Sequence, residues 1–467
     1  MPLYRDKAEI LEFFTQKGIL LSPGALDIIL EKNMGSFING LLTDDVMNSG
    51  YISEKDLFRI LEKPAPSSGR DFEIYVPDLV RDSSVEEFRG YFVSRYEKLR
   101  KIITTSIAMR GTSSISSAKK STGEVKVVGM VSSTSVTKNG HKRIVIEDLD
   151  DSITVILMKG KKGFDEVILE DEVIGIVGSV SSGDKEKVIF ANEIIRPDIP
   201  FRVIDETHKE PVYIASVSDI HVGSKTFRKD EFSRMIKWIK SSSEDSKQIK
   251  YMVLSGDVVD GIGVYPGQEN DLEILNPLEQ YDMLSDLISE IPGDVKVYIM
   301  PGNHDVVRLP EPQPVFSEKI RKMFNSNVTL LPNPFTLEIE GKQVLLYHGM
   351  SLNDMIELIP GANFETIGKA IEEILRRRHL APRYGGKTPI VPSREDRHVI
   401  ENVPDIFITG HVHSHAVGNY RGVRYVNSST WQSQTDYQKM MNFSPNPSML
   451  TLFDLNSRSI LIRDFKG

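Results

Sequence analysis

Five short motifs end in side chains that can hold metal ions. VYIASVSDIHVGS supplies Asp219 and His221, and YMVLSGDVVDG supplies Asp257 with Asp260 three residues on. VYIMPGNHD supplies Asn303, His304 and Asp305; VLLYHGM supplies His348; DIFITGHVH supplies His411 and His413. The chain has no cysteine, so thiolate sites are excluded. Histidine and carboxylate ligands suit Mn²⁺, Fe or Zn²⁺. Two such ions need roughly seven or eight ligands, with a carboxylate bridging a gap of about 3.5–4 Å. Asp219, His221, Asp257, Asn303, His348, His411 and His413 meet that count. Each motif alone is weak: D-x-H pairs are common, GDVVDG reads equally as a turn, and PGNHD as a Pro-Gly turn with an Asx cap. Their conjunction is the signal, since five of the ten histidines fall in these motifs.

In TGHVHSH the histidines 411, 413 and 415 alternate, so an extended backbone would send all three to one face. His415 lies beyond the G-H-x-H spacing and is read as a rim residue.

Each motif follows an apolar run of buried-strand length: PVYIASVS, YMVLS, KVYIM, QVLLYH and DIFIT. Helical stretches separate these runs, the mark of an α/β layer fold. In such folds sites form beyond the carboxyl ends of strands, so five strands deliver ligands to one rim. Gly256, Gly302, Gly349 and Gly410 allow backbone to approach the metals closely.

The rest of the chain reads differently. Residues 3–62 carry helical periodicity: Ile10, Leu11, Phe13 and Phe14 share a face, Ser22-Pro23 opens a second helix, and Ser53 caps a third. KPAPSSGR (63–70) is a linker by composition, and 85–103 a helix with Phe88, Phe92, Tyr96 and Leu99 on one stripe. GTSSISSAKKSTGE (111–124) reads as a mobile connector. From 125 to 196, five alternating runs separated by turns suggest an OB-like β-barrel. Its few aromatics, Phe164 and Phe190, favour protein docking over strand binding. The division expected is a small helical docking domain (1–63), a linker with helix and connector (64–122), the barrel (123–200) and the metal-binding domain (201–467).

At 467 residues several domains are expected. The net charge of −9 argues against coating nucleic acid by bulk charge. No apolar run reaches membrane length and no signal-peptide core is seen. With the missing cysteines, this points to the cytoplasm.

Together, D-x-H, G-D-x-x-D, G-N-H-D, H-G and G-H-x-H over 215–415 resemble the calcineurin-like metallophosphoesterase superfamily. The resemblance implies a β-sandwich flanked by helices, so that the whole is a multidomain α+β chain. It implies that Asp257 bridges two metals and that His304 touches the phosphate or protonates the leaving oxygen, with Asp305 orienting it. The order of helical domain, barrel and phosphoesterase, with EILRRRHLAPRYGGKTPIVPS (373–393) and TWQSQTDYQKMMNFSPNP (430–447), is similar to the small subunits of archaeal family D DNA polymerases. This implies a 3′→5′ exonuclease using two divalent ions, Mn²⁺ first, and acting on single-stranded or mismatched 3′ ends. It also implies a large catalytic subunit as partner, with a sliding clamp as a further candidate. Arg376, Arg383 and Lys387, within a basic run, are expected to contact DNA phosphates; a solvated face is the competing reading. A stand-alone phosphatase and a purely structural subunit are the alternatives.

Overall fold

Two stacked sheets, a closed barrel and a short N-terminal strand pair carry the architecture of the computed structural model. Residues 7–22, 24–26, 29, 51–52, 84–181, 186–202, 210–241, 243–391, 393–440 and 442–467 are described. The helix Lys7–Gln16 ends just before Gly18, whose φ of +69° favours glycine. β1 (Leu20–Leu21) then pairs in parallel with β2 (Tyr51–Ile52). Ser22 Oγ accepts the Ala25 N–H at 3.0 Å, the capping role its sequence context predicts. The helix expected at 53–63 and the linker at 63–70 lie outside the described residues.

The barrel consists of β3 (Glu124–Val136), β4 (Lys142–Glu147), β5 (Ser152–Leu157), β6 (Val173–Val180) and β7 (Val188–Ile195). They close in the order β3-β4-β5-β7-β6, all antiparallel except β5 with β7. Alternation along the strands sends Val127, Ile144, Val155, Ile176 and Ile189 into its core. The segment 111–124 is not the loose connector its composition suggests. Ser114 caps a short helix, Ile115–Ala118, and Ile115 and Ala118 plug the barrel core. Two small apolar anchors in the right register outweigh a Ser/Thr-rich background.

The helix Val85–Thr104 opens with a capping box between Ser84 and Glu87. Its Tyr96, Leu99 and Ile103 pack on Val128, Met130 and Val173 of the barrel, each apolar burial contributing about 1.5–3 kcal/mol. One turn earlier, Arg95 reaches the other way, donating to Asp396 and to the Pro382 carbonyl. One helix thus joins the barrel to the segment following residue 379.

β8 (Tyr213–Val217), β9 (Ile249–Ser255), β10 (Lys296–Met300) and β11 (Val328–Leu330) run parallel. A second sheet holds β12 (Phe335–Ile339), β13 (Lys342–Leu346), β14 (Ile406–Thr409), β15 (His415–Tyr420) and β16 (Val423–Ser428), in the order β12-β13-β14-β16-β15. β17 (Met449–Asp454) and β18 (Ile460–Asp464) return to extend the first sheet beside β8. Ile214, Val253 and Met300 of one sheet meet Val344, Ile408 and Val426 of the other in a shared core. Helices Lys229–Lys240 and Pro277–Ser289 cover the outer face of the first sheet, and Leu352–Leu358 and Gly368–Arg377 that of the second. The five apolar runs are β8, β9, β10, β13 and β14. They divide between two sheets, and the motifs at their carboxyl ends meet at one rim.

Candidate metal centre

Two separate groups of candidate ligands form at that rim, and a third, His221, Asp260 and His304, shares His221 with the first. Asp219, His221 and His413 bring one ligand atom each to within 4.8 Å of one another, and Asp257, His348 and His411 do the same. Asn303 joins the second group, its Oδ1 lying 3.2 Å from His348 Nε2. The two groups are tied together where Asp219 Oδ2 accepts the His411 N–H at 2.8 Å. His411 and His413 therefore go to different groups. His415 goes to neither: its Nε2 lies 2.8 Å from Thr451 Oγ1 on β17.

Each ring has one nitrogen engaged from outside and turns the other toward the rim. His221 Nδ1 meets Asp260 Oδ1 at 2.7 Å, and His348 Nδ1 donates to the Ser255 carbonyl at 2.9 Å. His411 Nε2 lies 2.8 Å from the Asn353 amide, and His413 Nδ1 lies 2.8 Å from that of Gln438. The inward atoms crowd one another: His413 Nε2 is 3.1 Å from His221 Nε2 and 3.3 Å from Asp219 Oδ1. Asp219 Oδ1 is buried without a hydrogen-bond donor. Ring nitrogens turned on one another and on a buried carboxylate oxygen that has no hydrogen-bond partner fit a divalent cation. Among the described residues, the ion pairs of Asp219, Asp257 and Asp260 are with histidines alone.

Electrostatics follows from these contacts. Burial alone would lower His221 and His348, but Asp260 raises the first to about 9 and Asp257 the second to about 10. Burial, reinforced by His348, presses His411 down to about 3, so its ring is neutral and ready to ligate. Burial works against ionising Asp257, yet His348 and His304 hold it well below the usual carboxylate range.

The backbone is strained at the same place. Asp219, His221, Asp257, His411 and His413 all have φ between +47° and +70°. Left-handed backbone costs a non-glycine residue about 1–2 kcal/mol, and such outliers concentrate at functional sites. It also overturns the extended reading of TGHVHSH: left-handed turns, not strand alternation, aim His411 and His413. Gly302 is required by space, since a Cβ there would come within 2.2 Å of Asp257 Oδ1.

His304 stands at the edge of the first group, its ring 4.7 Å from that of His221. Its Nδ1 donates to the Asp260 carbonyl at 2.9 Å, which leaves Nε2 for a substrate. Asp260, not Asp305, therefore orients this ring as well as His221. Asp305 is turned into the protein and accepts from Gly302 N–H, Val258 N–H and the Tyr281 hydroxyl. Burial and the neighbouring Asp257 push its carboxyl up to about 7. Its contacts brace the GNHD turn. Asn353 and Gln438 escape a motif reading, whereas Asp260, within GDVVDG, carries a sequence signal.

The basic run is directed largely inward. Arg377 and Arg378 are buried, the first paired with Glu172 and Glu373, the second donating to the Ile400 and Glu401 carbonyls. Arg376 bridges to Glu166 at 2.7 Å and to Glu373. Glu166 and Glu172 lie between β5 and β6, so these arginines fasten the barrel to the helix Gly368–Arg377. Arg383 lies 3.9 Å from Glu170, and Lys387 pairs with Glu357; both remain substantially exposed. No helix among the described residues is long and apolar enough to cross a membrane.

Comparison with known proteins places this geometry. Residues 214–417 match the family of DNA polymerase alpha/epsilon B subunits. The DNA polymerase II small subunit of Thermoplasma acidophilum is 64% identical over 98% of this chain and 93% of its own. That of Archaeoglobus fulgidus is 38% identical over 98% of both. A solved structure of a novel archaeal phosphodiesterase aligns with 54% of this chain at 12% identity and a TM-score of 0.28, too slight a likeness to bear on the site. With near-complete coverage at such identity, the chain belongs to the small subunits of archaeal DNA polymerase II, the family D polymerases.

Proposed function

We propose that this polymerase subunit is itself a nuclease: a two-metal 3′→5′ exonuclease that removes terminal nucleotides from single-stranded or mismatched DNA ends. The observation that carries the reading is the paired Asp/His groups: His221 and His413 turn ring nitrogens on the orphaned Asp219 oxygen, and His348 turns one on Asp257. Asp219, His221 and His413 would hold one cation, and Asp257, Asn303, His348 and His411 the other, with Asp257 serving both and Mn²⁺ as the favoured ion. When bound, two such cations supply a lowered water pKa and positive charge at the phosphoryl oxygens. The chain's own part is positional. Asp260 fixes His221 and His304 together, and His304 presents Nε2 to the departing 3′ oxygen as acid or hydrogen-bond donor.

The division at 1–63, 64–122, 123–200 and 201–467 belongs to the same proposal, with an OB-like barrel and a calcineurin-like sandwich that also scaffold the large polymerase subunit. Arg383 and Lys387 are the basic residues still exposed enough to meet the strand. Digestion of 3′- and 5′-labelled single strands with Mn²⁺, beside a phosphopeptide, tests the reading. Release from the 3′ end by the native chain and not by His304→Ala supports it. Phosphopeptide turnover without DNA cleavage would replace it with a phosphatase.

A further inference from the structure

Next to His304 a cavity of about 180 Å³ opens between the metal rim and the N-terminal strand pair. Asn303 and His304 form one end; Ile19, Leu20, Val264 and Leu309 are among its walls. Leu20, Val264 and Leu309 are 43, 37 and 46% exposed, a cluster of large apolar side chains beside a polar centre. The N-terminal part is seated here by two contacts. Tyr51 of β2 shares a core with Val306 and Val307 just after the GNHD turn, and a Cβ on Gly263 would lie 3.9 Å from both Leu20 methyls.

Resting on the nuclease reading, we propose that this slot receives an unpaired nucleobase: that of the penultimate nucleoside, whose 3′ oxygen leaves. The side follows from chemistry. In-line attack puts the water opposite the leaving oxygen, so the nucleoside beside His304 is the one that keeps that oxygen. The slot has room for one flat heterocycle and none for a base pair. Its apolar walls stack any base without reading sequence, as sequence-tolerant strand binders do. Only an unstacked base enters, and unstacking is cheapest at a mismatched or single-stranded end. The N-terminal strands thereby become one wall of the nuclease's selection for frayed ends.

The test uses the full chain with Mn²⁺ and 5′-labelled single strands of three kinds: unmodified, abasic at the penultimate position, and abasic at the last. The native chain is expected to cleave the penultimate-abasic strand about tenfold more slowly than the other two. Val264→Trp, which fills the slot, should slow the unmodified strand about tenfold and leave the penultimate-abasic strand at its native rate. Leu20→Gln, at an exposed position, should do the same more weakly with an unchanged melting temperature. Equal slowing of every strand by Val264→Trp, or a native-chain effect that follows the last base instead, overturns the slot. An active native chain indifferent to missing bases overturns the slot alone. A native chain inert on all three strands overturns the nuclease reading and the slot with it.

Discussion

The candidate metal centre and the cluster around Asp396 both bury carboxylates among imidazoles, and differ in where their positive charge comes from. Around Asp396, the carboxylate meets the Arg95 guanidinium at 2.8 Å and His379 Nε2 at 2.8 Å; His398 lies between Asp396 and Glu311. Burial alone would raise Asp396, but His379 and Arg95 hold it well below its usual range. A covalently attached cation closes that network, though Glu311 Oε1 and His398 Nδ1 make no hydrogen bond, the latter lying 3.6 Å from Asp396 Oδ1. At the rim, among the described residues, Asp219 and Asp257 pair with histidines and with no guanidinium. Inward nitrogens face each other, and five ligands adopt left-handed backbone, a conformation seen at none of Asp396, His379, His398 and Glu311. Burial of Asp and His is thus common to structure and to chemistry here. What separates the two is whether the counter-charge is a fixed guanidinium or imidazoles alone.

The sharpest way to break that contrast is to remove the central carboxylate from each side. Asp257→Ala should lose bound Mn²⁺, measured by elemental analysis, and with it nuclease activity by more than about 10³-fold. Asp396→Ala should keep its metal content but lose about 3–5 kcal/mol in denaturant unfolding, because Arg95 is left buried and unpaired. If Asp396→Ala shed metal while Asp257→Ala stayed loaded, the division between the clusters would fall.

Within the rim, His304 separates holding a metal from using it. Its ring is fixed by Asp260 and belongs to neither ligand trio that includes Asp219 or Asp257. His304→Ala should therefore bind metal normally while nuclease activity falls by about 10²–10⁴-fold. Metal loss in that variant would make His304 a ligand instead.

The closed cluster carries a pH signature of its own. Burial would lower His398, but Asp396 and Glu311 outweigh it and raise the ring to about 9 from 6.5. A raised histidine contributes stability that is fully present below pH 6.5 and is lost as pH climbs through 9. The difference is worth roughly 3 kcal/mol. His379, pressed down to about 4 by burial and Arg95, acts only in acid. Within this cluster the alkaline window therefore belongs to His398, while His221 and His348 at the rim add their own share of the decline. Unfolding by denaturant between pH 6.5 and 9.5 should show this decline in the native chain and a flatter profile in His398→Gln. A profile identical in both would remove His398 as its source.

The two clusters also differ in how far the sequence announced them. At the rim, each candidate ligand sits in a short motif directly after an apolar strand run, so the residue types and their order are legible there. The turn geometry is not, because left-handed φ at Asp219 or His413 is imposed by tertiary packing against local preference. Partners far along the chain were equally hidden: Asn353 and Gln438 reach their histidines from helices whose sequences show no metal pattern. The Asp396 cluster gave no signal. Arg95 lies on a helix that reads as plainly amphipathic, 301 residues from its partner. In the second sheet β13 and β14 are legible as apolar runs, whereas β15 and β16 carry mixed sequences, and the sandwich is expected from the resemblance alone.

The smallest expected effect concerns the basic run, where a local pattern of charge points outward and the fold turns it in. Arg376 and Arg377 hold the barrel's acidic 166–172 segment, so their removal should loosen that contact more than it weakens DNA binding. Arg383 and Lys387 are different. Their carboxylate partners are themselves exposed, and such pairs are worth only about 0–1 kcal/mol, little enough for a phosphate to displace. Replacing both by Ala should weaken single-strand binding by a few-fold and lower the slope of log affinity against log salt by roughly 0.7 per residue. An unchanged slope, with unchanged affinity at low salt, would leave the whole run as barrel-docking surface and return DNA binding to the rim and its neighbouring slot.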